Sequence, residues 1–306
     1  MSLFFLFLDG VGLGTEGEHN PLVDARWDAF DRLTGEKGLK SNTNSFREEN
    51  QIFIDVDANL DIEGLPQSGT GQASLFSGEN ASKIIGRHFG PYPHSRIRFL
   101  LEEKSLFHQV QTLKLEPFFL NAYPEIFFKK MKRRNRWTCT TLMAASAGQR
   151  LNRTEDLRYG RALTAEIVQD AWREKLGIDV KSIYPEEAAE RVLVMLEEYD
   201  LLLYEYYLTD KAGHSRSVER SFQVLEVLNR FLRHIMNGLA DDDYLVLCSD
   251  HGNLEDLRVK THTRNRVPLI VFGNGSGGKA EQAESIMDLP NVIRSLLKEG
   301  KAGQET

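Results

Sequence analysis

Only two cysteines occur in the 306 residues, Cys139 and Cys248, far apart and in no paired spacing. That excludes a disulfide scaffold and a cysteine-ligated zinc knuckle. Basic charge is also short: 38 Lys and Arg stand against 45 Asp and Glu, a net charge of -7 with a pI near 5.7. General binding to nucleic acid needs a basic surface to displace counterions, so a small substrate is the better expectation. Long apolar runs are missing too. The first ten residues, MSLFFLFLDG, have no positive residue ahead of a short apolar stretch and end on Asp9-Gly10, with no small-residue cleavage site. They read as a strand rather than a secretory leader, and no stretch elsewhere reaches membrane-spanning length. A reducing cytoplasm is the expected compartment. What is present, 41% hydrophobic and 27% charged residues, is the composition of an ordinary globular enzyme-sized chain.

Short apolar runs recur at 3–8, 52–56, 117–123, 201–208, 244–248 and 267–273, and they read as strands buried on both faces. Helical periodicity lies between them. It is clearest at 217–238, where Phe222, Leu225, Leu228, Leu232 and Ile235 form one stripe, and it recurs at 96–113, 186–198 and 286–298. The expected fold is α/β, a mainly parallel sheet between helices. Residues 124–185 lose the alternation and carry KKMKRRNR at 129–136; the reading is one domain over 1–306 with 124–185 as a small cap insertion. The basic run reads as a solvated face rather than an RNA site.

In open α/β sheets ligands sit at the carboxyl ends of strands, where loops converge on a rigid frame. The residues delivered there form a pattern. Asp9 follows the first run; TDKAGHS after the 201–208 run gives Asp210 and His214; SDHGN after the 244–248 run gives Asp250 and His251; THTRNR just before the 267–273 run gives His262. Mixed imidazole and carboxylate donors suit Zn²⁺ or Mn²⁺ better than Ca²⁺. Six donors exceed what one catalytic zinc takes, so two ions are expected, an arrangement that serves displacement at phosphorus. A hydroxyl nucleophile belongs at a strand-to-helix turn, and GLPQSGTGQASLFSGENAS at 64–82 offers Ser68 and Thr70.

This ordered set resembles the alkaline phosphatase superfamily, and within it the cofactor-independent phosphoglycerate mutase and phosphopentomutase branch. The similar motifs are DGVG at 9–12, TDKAGHS at 209–215, SDHGNLED at 249–256 and THTRNRVPLIVFG at 261–273, with SIMDLPNVIRSLL at 285–297 like the closing helix. The resemblance implies an alkaline-phosphatase-like fold. It also implies that Asp9, Asp250 and His251 hold one ion with the nucleophile, and that Asp210, His214 and His262 hold the other. In the mutases the nucleophile stands three residues before a Gly-His pair. In related sulfatases and phosphodiesterases it stands ten residues before a glycine that ends an apolar turn. Counting back from Gly71 and from Gly78 reaches Ser68 both times.

Where the mutases carry His after that glycine, this chain has Gln72. At most some 60 residues remain for a cap, which favours access of water and hence hydrolysis over intramolecular transfer. The expected activity is a metal-dependent phosphatase or phosphodiesterase with a phosphoserine intermediate; the alternatives are a phosphomutase and a non-catalytic metal-binding descendant. Lys211, Arg87 and Arg264 are the candidate phosphoryl cations, Asn20, Thr70 and Asn253 further candidate substrate contacts, and His88 and His94 candidate entrance residues. The expected partner is a small phosphorylated substrate, with no nucleic acid and no membrane.

Overall fold

The computed structural model describes residues 1–302 apart from 36, 37, 42, 44, 135 and 279. The strands are β1 (Leu3–Leu8), β2 (Phe46–Glu48), β3 (Gln51–Val56), β4 (Pro117–Phe119), β5 (Leu201–Tyr206), β6 (Tyr244–Ser249) and β7 (Val267–Phe272). They form one sheet in the order β2-β3-β7-β6-β1-β5-β4. β1 pairs in parallel with both β5 and β6, and β4 in parallel with β5. β7 runs antiparallel to β6 and to β3, and β2 antiparallel to β3.

Period-two alternation along a doubly covered strand sends side chains into two cores. Phe5 and Phe7 of β1 enter one, with the helices Ser68–Ser77, Arg98–Glu103, Leu106–Thr112, Cys139–Ser146 and Leu289–Ala302. Phe4, Leu6 and Leu8 enter the other, under Pro185–Leu196 and Val218–Gly238. Each fully buried side chain of this size contributes about 1.5–3 kcal/mol. The 218–238 helix begins where the Ser217 side chain accepts from Arg220 N, and its stripe of Leu225, Leu228, Leu232 and Ile235 is fully buried.

The sheet is parallel in its β6-β1-β5-β4 half, as the apolar runs imply, and antiparallel at the other edge. The 117–123 run stops as a strand at Phe119, and the 96–113 helix breaks at Lys104–Ser105, where the Ser105 hydroxyl bonds His108 Nδ1 at 2.9 Å and the chain restarts. β2, too short and polar to register as an apolar run, is an addition. Within 124–185, the Cys139–Ser146 helix packs into the main core, whereas Leu157, Ala162, Trp172 and Val180 form a small separate cluster with Ala122. The 129–134 part of the basic run continues the helix Glu125–Arg134; residue 135 lies outside the described residues. Among the described residues, no helix is long and apolar enough to cross a membrane.

Candidate active site

Strand direction gathers the site. β1, β5 and β6 run the same way, so their ends bring Asp9, the Leu208–Ser215 helix and Asp250-His251 to one edge. β7 runs the opposite way, so the residues before its start, including His262, arrive at that same edge. β3 is antiparallel to β7 in turn, and its end leads through 57–67 into the helix that Ser68 opens.

The six candidate ligands and Ser68 converge. One buried group joins Asp9, Asp250 and His251; a second joins Asp210, His251 and His262. His214, one helical turn after Asp210, places Nε2 3.3 Å from Asp210 Oδ2 and 3.3 Å from His262 Nε2. Ser68 Oγ lies 3.0 Å from His251 Nε2. The rings of His251 and His262 stack at 3.9 Å.

The ring orientations fit a metal. His214 Nδ1 donates to the Lys260 carbonyl at 2.9 Å and His262 Nδ1 to the Pro66 carbonyl at 2.7 Å. A carbonyl only accepts, so each Nδ1 carries the hydrogen and each Nε2 is left as a lone-pair donor toward the centre, the arrangement that outer partners impose on ligating histidines. Among the described residues, two buried carboxylate oxygens, Asp9 Oδ1 and Asp250 Oδ2, have no hydrogen-bond partner, although they lie 3.3 and 3.5 Å from His251 Nε2. Buried acceptors without partners are costly unless a cation completes them.

Electrostatics agree with that fit. Burial, then repulsion from Asp250, pushes the Asp9 carboxyl up to about 7; burial pushes Asp250 up to about 6. Burial opposes charge on His251, but Asp250, Asp9 and Asp210 together hold it at about 10. Burial and the neighbouring His251 charge depress His262 to about 4. Three carboxylates crowded at one buried edge call for positive charge, which divalent ions would supply.

The backbone is shaped for close approach. A Cβ on Gly71 would sit 2.9 Å from the Asp250 carbonyl oxygen, and one on Gly69 would sit 2.3 Å from that of Tyr92. Gln72 donates from Nε2 to Asp9 Oδ2 at 3.4 Å, so the residue found in place of histidine contacts a candidate ligand.

The other candidates divide. Lys211 lines the cavity beside Ser68, its ammonium 4.3 Å over the Tyr207 ring. Asn253 is fully buried and donates to Asp210 Oδ1 at 2.6 Å, which makes it a support of that carboxylate. Asn20, Thr70, Arg87 and Arg264 do not line the cavity. Asn20 caps a turn, accepting from Leu22 N and donating to the Thr15 carbonyl. Thr70 Oγ1 donates to the Gln67 carbonyl and accepts from Phe89 N. Arg87 is exposed above Phe89, and Arg264 Nε reaches Asn59. His88 Nε2 bonds the Ile62 carbonyl, and the His94 side chain accepts from Arg96 N in its own turn.

Sequence reading passed over Glu255. Fully buried, it accepts from Gly12 N at 3.0 Å, Asn253 N at 2.7 Å and Asn265 Nδ2 at 3.0 Å, and also from the Thr263 hydroxyl. It ties together the three loops that carry Asp9, Asp250-His251 and His262. Its only signal in the sequence was a place within SDHGNLED.

Residues 177–298 match the model of the Metalloenzyme superfamily. A 2,3-bisphosphoglycerate-independent phosphoglycerate mutase of Staphylococcus aureus is 31% identical over 126 residues, 35% of this chain and 25% of that enzyme. The chain thus spans about a quarter of the length of the curated relatives it matches. A Pyrococcus horikoshii protein superposes with a TM-score of 0.59 at 14% identity, covering 97% of this chain and 96% of its own. The alkaline phosphatase of the Antarctic bacterium TAB5 does so with a TM-score of 0.56 at 10% identity, covering 97% and 98%. At such identities the structural likeness is one of fold. Over residues 177–298 the chain is thus similar to the Metalloenzyme superfamily, and its fold is like that of an alkaline phosphatase. Its sequence likeness to 2,3-bisphosphoglycerate-independent phosphoglycerate mutases extends over about a third of the chain.

Proposed function

We propose that this chain is a divalent-metal-dependent phosphate ester hydrolase acting through a phosphoserine at Ser68. The observation that carries the reading is the position of Ser68 Oγ, 3.0 Å from Nε2 of His251, the histidine that both donor groups share. Asp9, Ser68, Asp250 and His251 would hold one ion and Asp210, His214 and His262 the other, as Zn²⁺ or Mn²⁺. Bound ions supply charge neutralisation at the phosphoryl group and lower the pKa of oxygen nucleophiles.

The chain's own residues do the rest. Ser68 gives up its hydroxyl proton to solvent and Oγ attacks phosphorus in line; its bond to phosphorus forms as the ester bond breaks, and the alcohol leaves into the cavity with a proton from solvent. Water then attacks the phosphoserine, the phosphorus–Oγ bond breaks, Ser68 recovers a proton, and inorganic phosphate departs. Lys211, on the cavity wall, offers a cation to the phosphoryl oxygens, and the start of the Ser68–Ser77 helix favours negative charge. In this reading residues 124–185 act as a small cap, and the partner is a small phosphorylated substrate.

A second reading, a phosphomutase, draws on the mutase relatives, which match about a third of the chain. It differs only in the second step, where a hydroxyl of the same substrate takes the phosphoryl group. Phosphate release from a panel of monoesters and diesters, with metal and beside a Ser68→Ala control, separates the two. Serine-dependent release is expected; isomerisation without release would favour the mutase.

A further inference from the structure

The site opens into a cavity of about 580 Å³, within the range typical of small-molecule pockets. Its far wall is aromatic. Tyr92, Tyr123, Phe127, Trp172 and Tyr207 line it, with Leu176 at the rim, and the rings of Tyr123 and Phe127 stack at 4.1 Å. Trp172 is braced from behind by the small cluster of Ala122, Leu157, Ala162 and Val180, which is separate from both main cores. This support fixes the ring as a wall rather than leaving it a loose surface side chain.

The polar groups on the floor are occupied with one another. Asn121 Oδ1 accepts from Glu205 N and its Nδ2 donates to the Glu205 carbonyl, both at 2.8 Å. Glu205 Oε2 accepts from Thr140 Oγ1 at 2.6 Å, and Thr138 Oγ1 accepts from Thr141 N at 3.2 Å. Among the described residues no arginine lines the cavity, and the cations that do are Lys175 and Lys211. A polyhydroxylated alcohol would leave its hydroxyls against ring faces with few free partners, which a binding site penalises. A carboxylate-bearing alcohol would compete with the phosphoryl group for Lys175 and Lys211 and lie against the buried Glu205 and Asp9.

We infer that the substrate is a phosphate ester of an aromatic alcohol, with its phosphoryl group at Ser68 and its ring between Trp172 and the Tyr123–Phe127 pair. The inference rests on the ester-cleavage reading and adds its substrate class. It assigns the 123–176 part of the chain the work of selecting the leaving group.

The test uses alkyl esters whose alcohols have similar basicity, so that leaving-group reactivity does not imitate recognition: 2-phenylethyl phosphate, ethyl phosphate and glycerol 3-phosphate. Phosphate release by the metal-loaded full chain should favour the phenylethyl ester in kcat/KM by roughly 50-fold, the worth of burying one ring. That ratio should collapse in Trp172→Ala. It should also collapse in Leu176→Glu, which puts a charge on the rim at a side chain already 45% exposed and so spares the fold. Calorimetric titration of Ser68→Ala with the same esters reads binding without turnover. Release that is equal across the esters would overturn the aromatic assignment and leave the hydrolase standing. No release from any ester, with preferential binding of the phenylethyl ester to Ser68→Ala, would overturn the hydrolase and keep the pocket. No release and no binding preference would overturn both.

Discussion

Ser68, Asp250 and Glu205 separate three things a side chain does at this sheet edge. Ser68→Ala should abolish phosphate release, by about a thousandfold or more, while native mass spectrometry still finds the metal complement. Asp250→Asn should lose metal from the Asp9-His251 group and keep the native circular dichroism, since only a ligand charge is removed; a fully loaded, active variant would refute the assignment. Glu205 tests burial. Desolvation lifts its carboxyl to about 7 from an ordinary 4.5, so in metal-free protein its contribution to stability is full below about 4.5 and is lost as the pH rises through 7. Glu205→Gln keeps a carbonyl acceptor for Thr140 and removes that slope. It should match the parent near pH 4.5 and exceed it at pH 8 by about 3 kcal/mol in urea unfolding. At this scale the convergence was legible: donor types at strand ends picked out the six side chains that the fold brings together, because strand ends are predictable from apolar runs. Asn20 and Thr70 could not be sorted at this scale, because a turn cap and a substrate contact use the same side chains and hydrogen-bond partners appear only in three dimensions.

The elements that carry these residues are held by contacts the chain pattern does not reveal. Phe7 of β1 meets Phe76 edge to face at 5.3 Å, which fixes the Ser68–Ser77 helix to the strand that ends at Asp9. Phe7→Ala should cost about 3–5 kcal/mol in unfolding and lower phosphate release in proportion to the loosened helix. Gly71→Ala is smaller but better aimed. Its methyl meets the Asp250 backbone, so metal affinity should fall more than stability does, and a metal titration beside a melting curve distinguishes the two. The strands with continuous apolar runs were readable because both faces are buried. The antiparallel direction of β7 was not, since a run has no polarity, and it is that direction which brings His262 to the site. The 104–105 break went unseen for a similar reason: apolar periodicity survives a two-residue interruption.

Across the whole molecule, two cores on either side of one sheet give a frame that does not depend on ions, whereas its edge carries partnerless carboxylates that do. Chelation should therefore lower the melting temperature by several degrees without unfolding the chain at 25 °C, because a ligand at about a hundredfold its Kd adds about 2.7 kcal/mol. The wider functional reading depends on features that no single motif encodes, the aromatic cavity above all. Its walls come from residues scattered between 92 and 207, and only the fold assembles them. Glu255 carries a consequence of its own. One carboxylate grips the loops bearing Asp9, Asp250-His251 and His262, so neither ion position can settle alone. Loading should be cooperative, one steep isotherm for both ions, and replacing Glu255 with alanine should split it into two shallow steps.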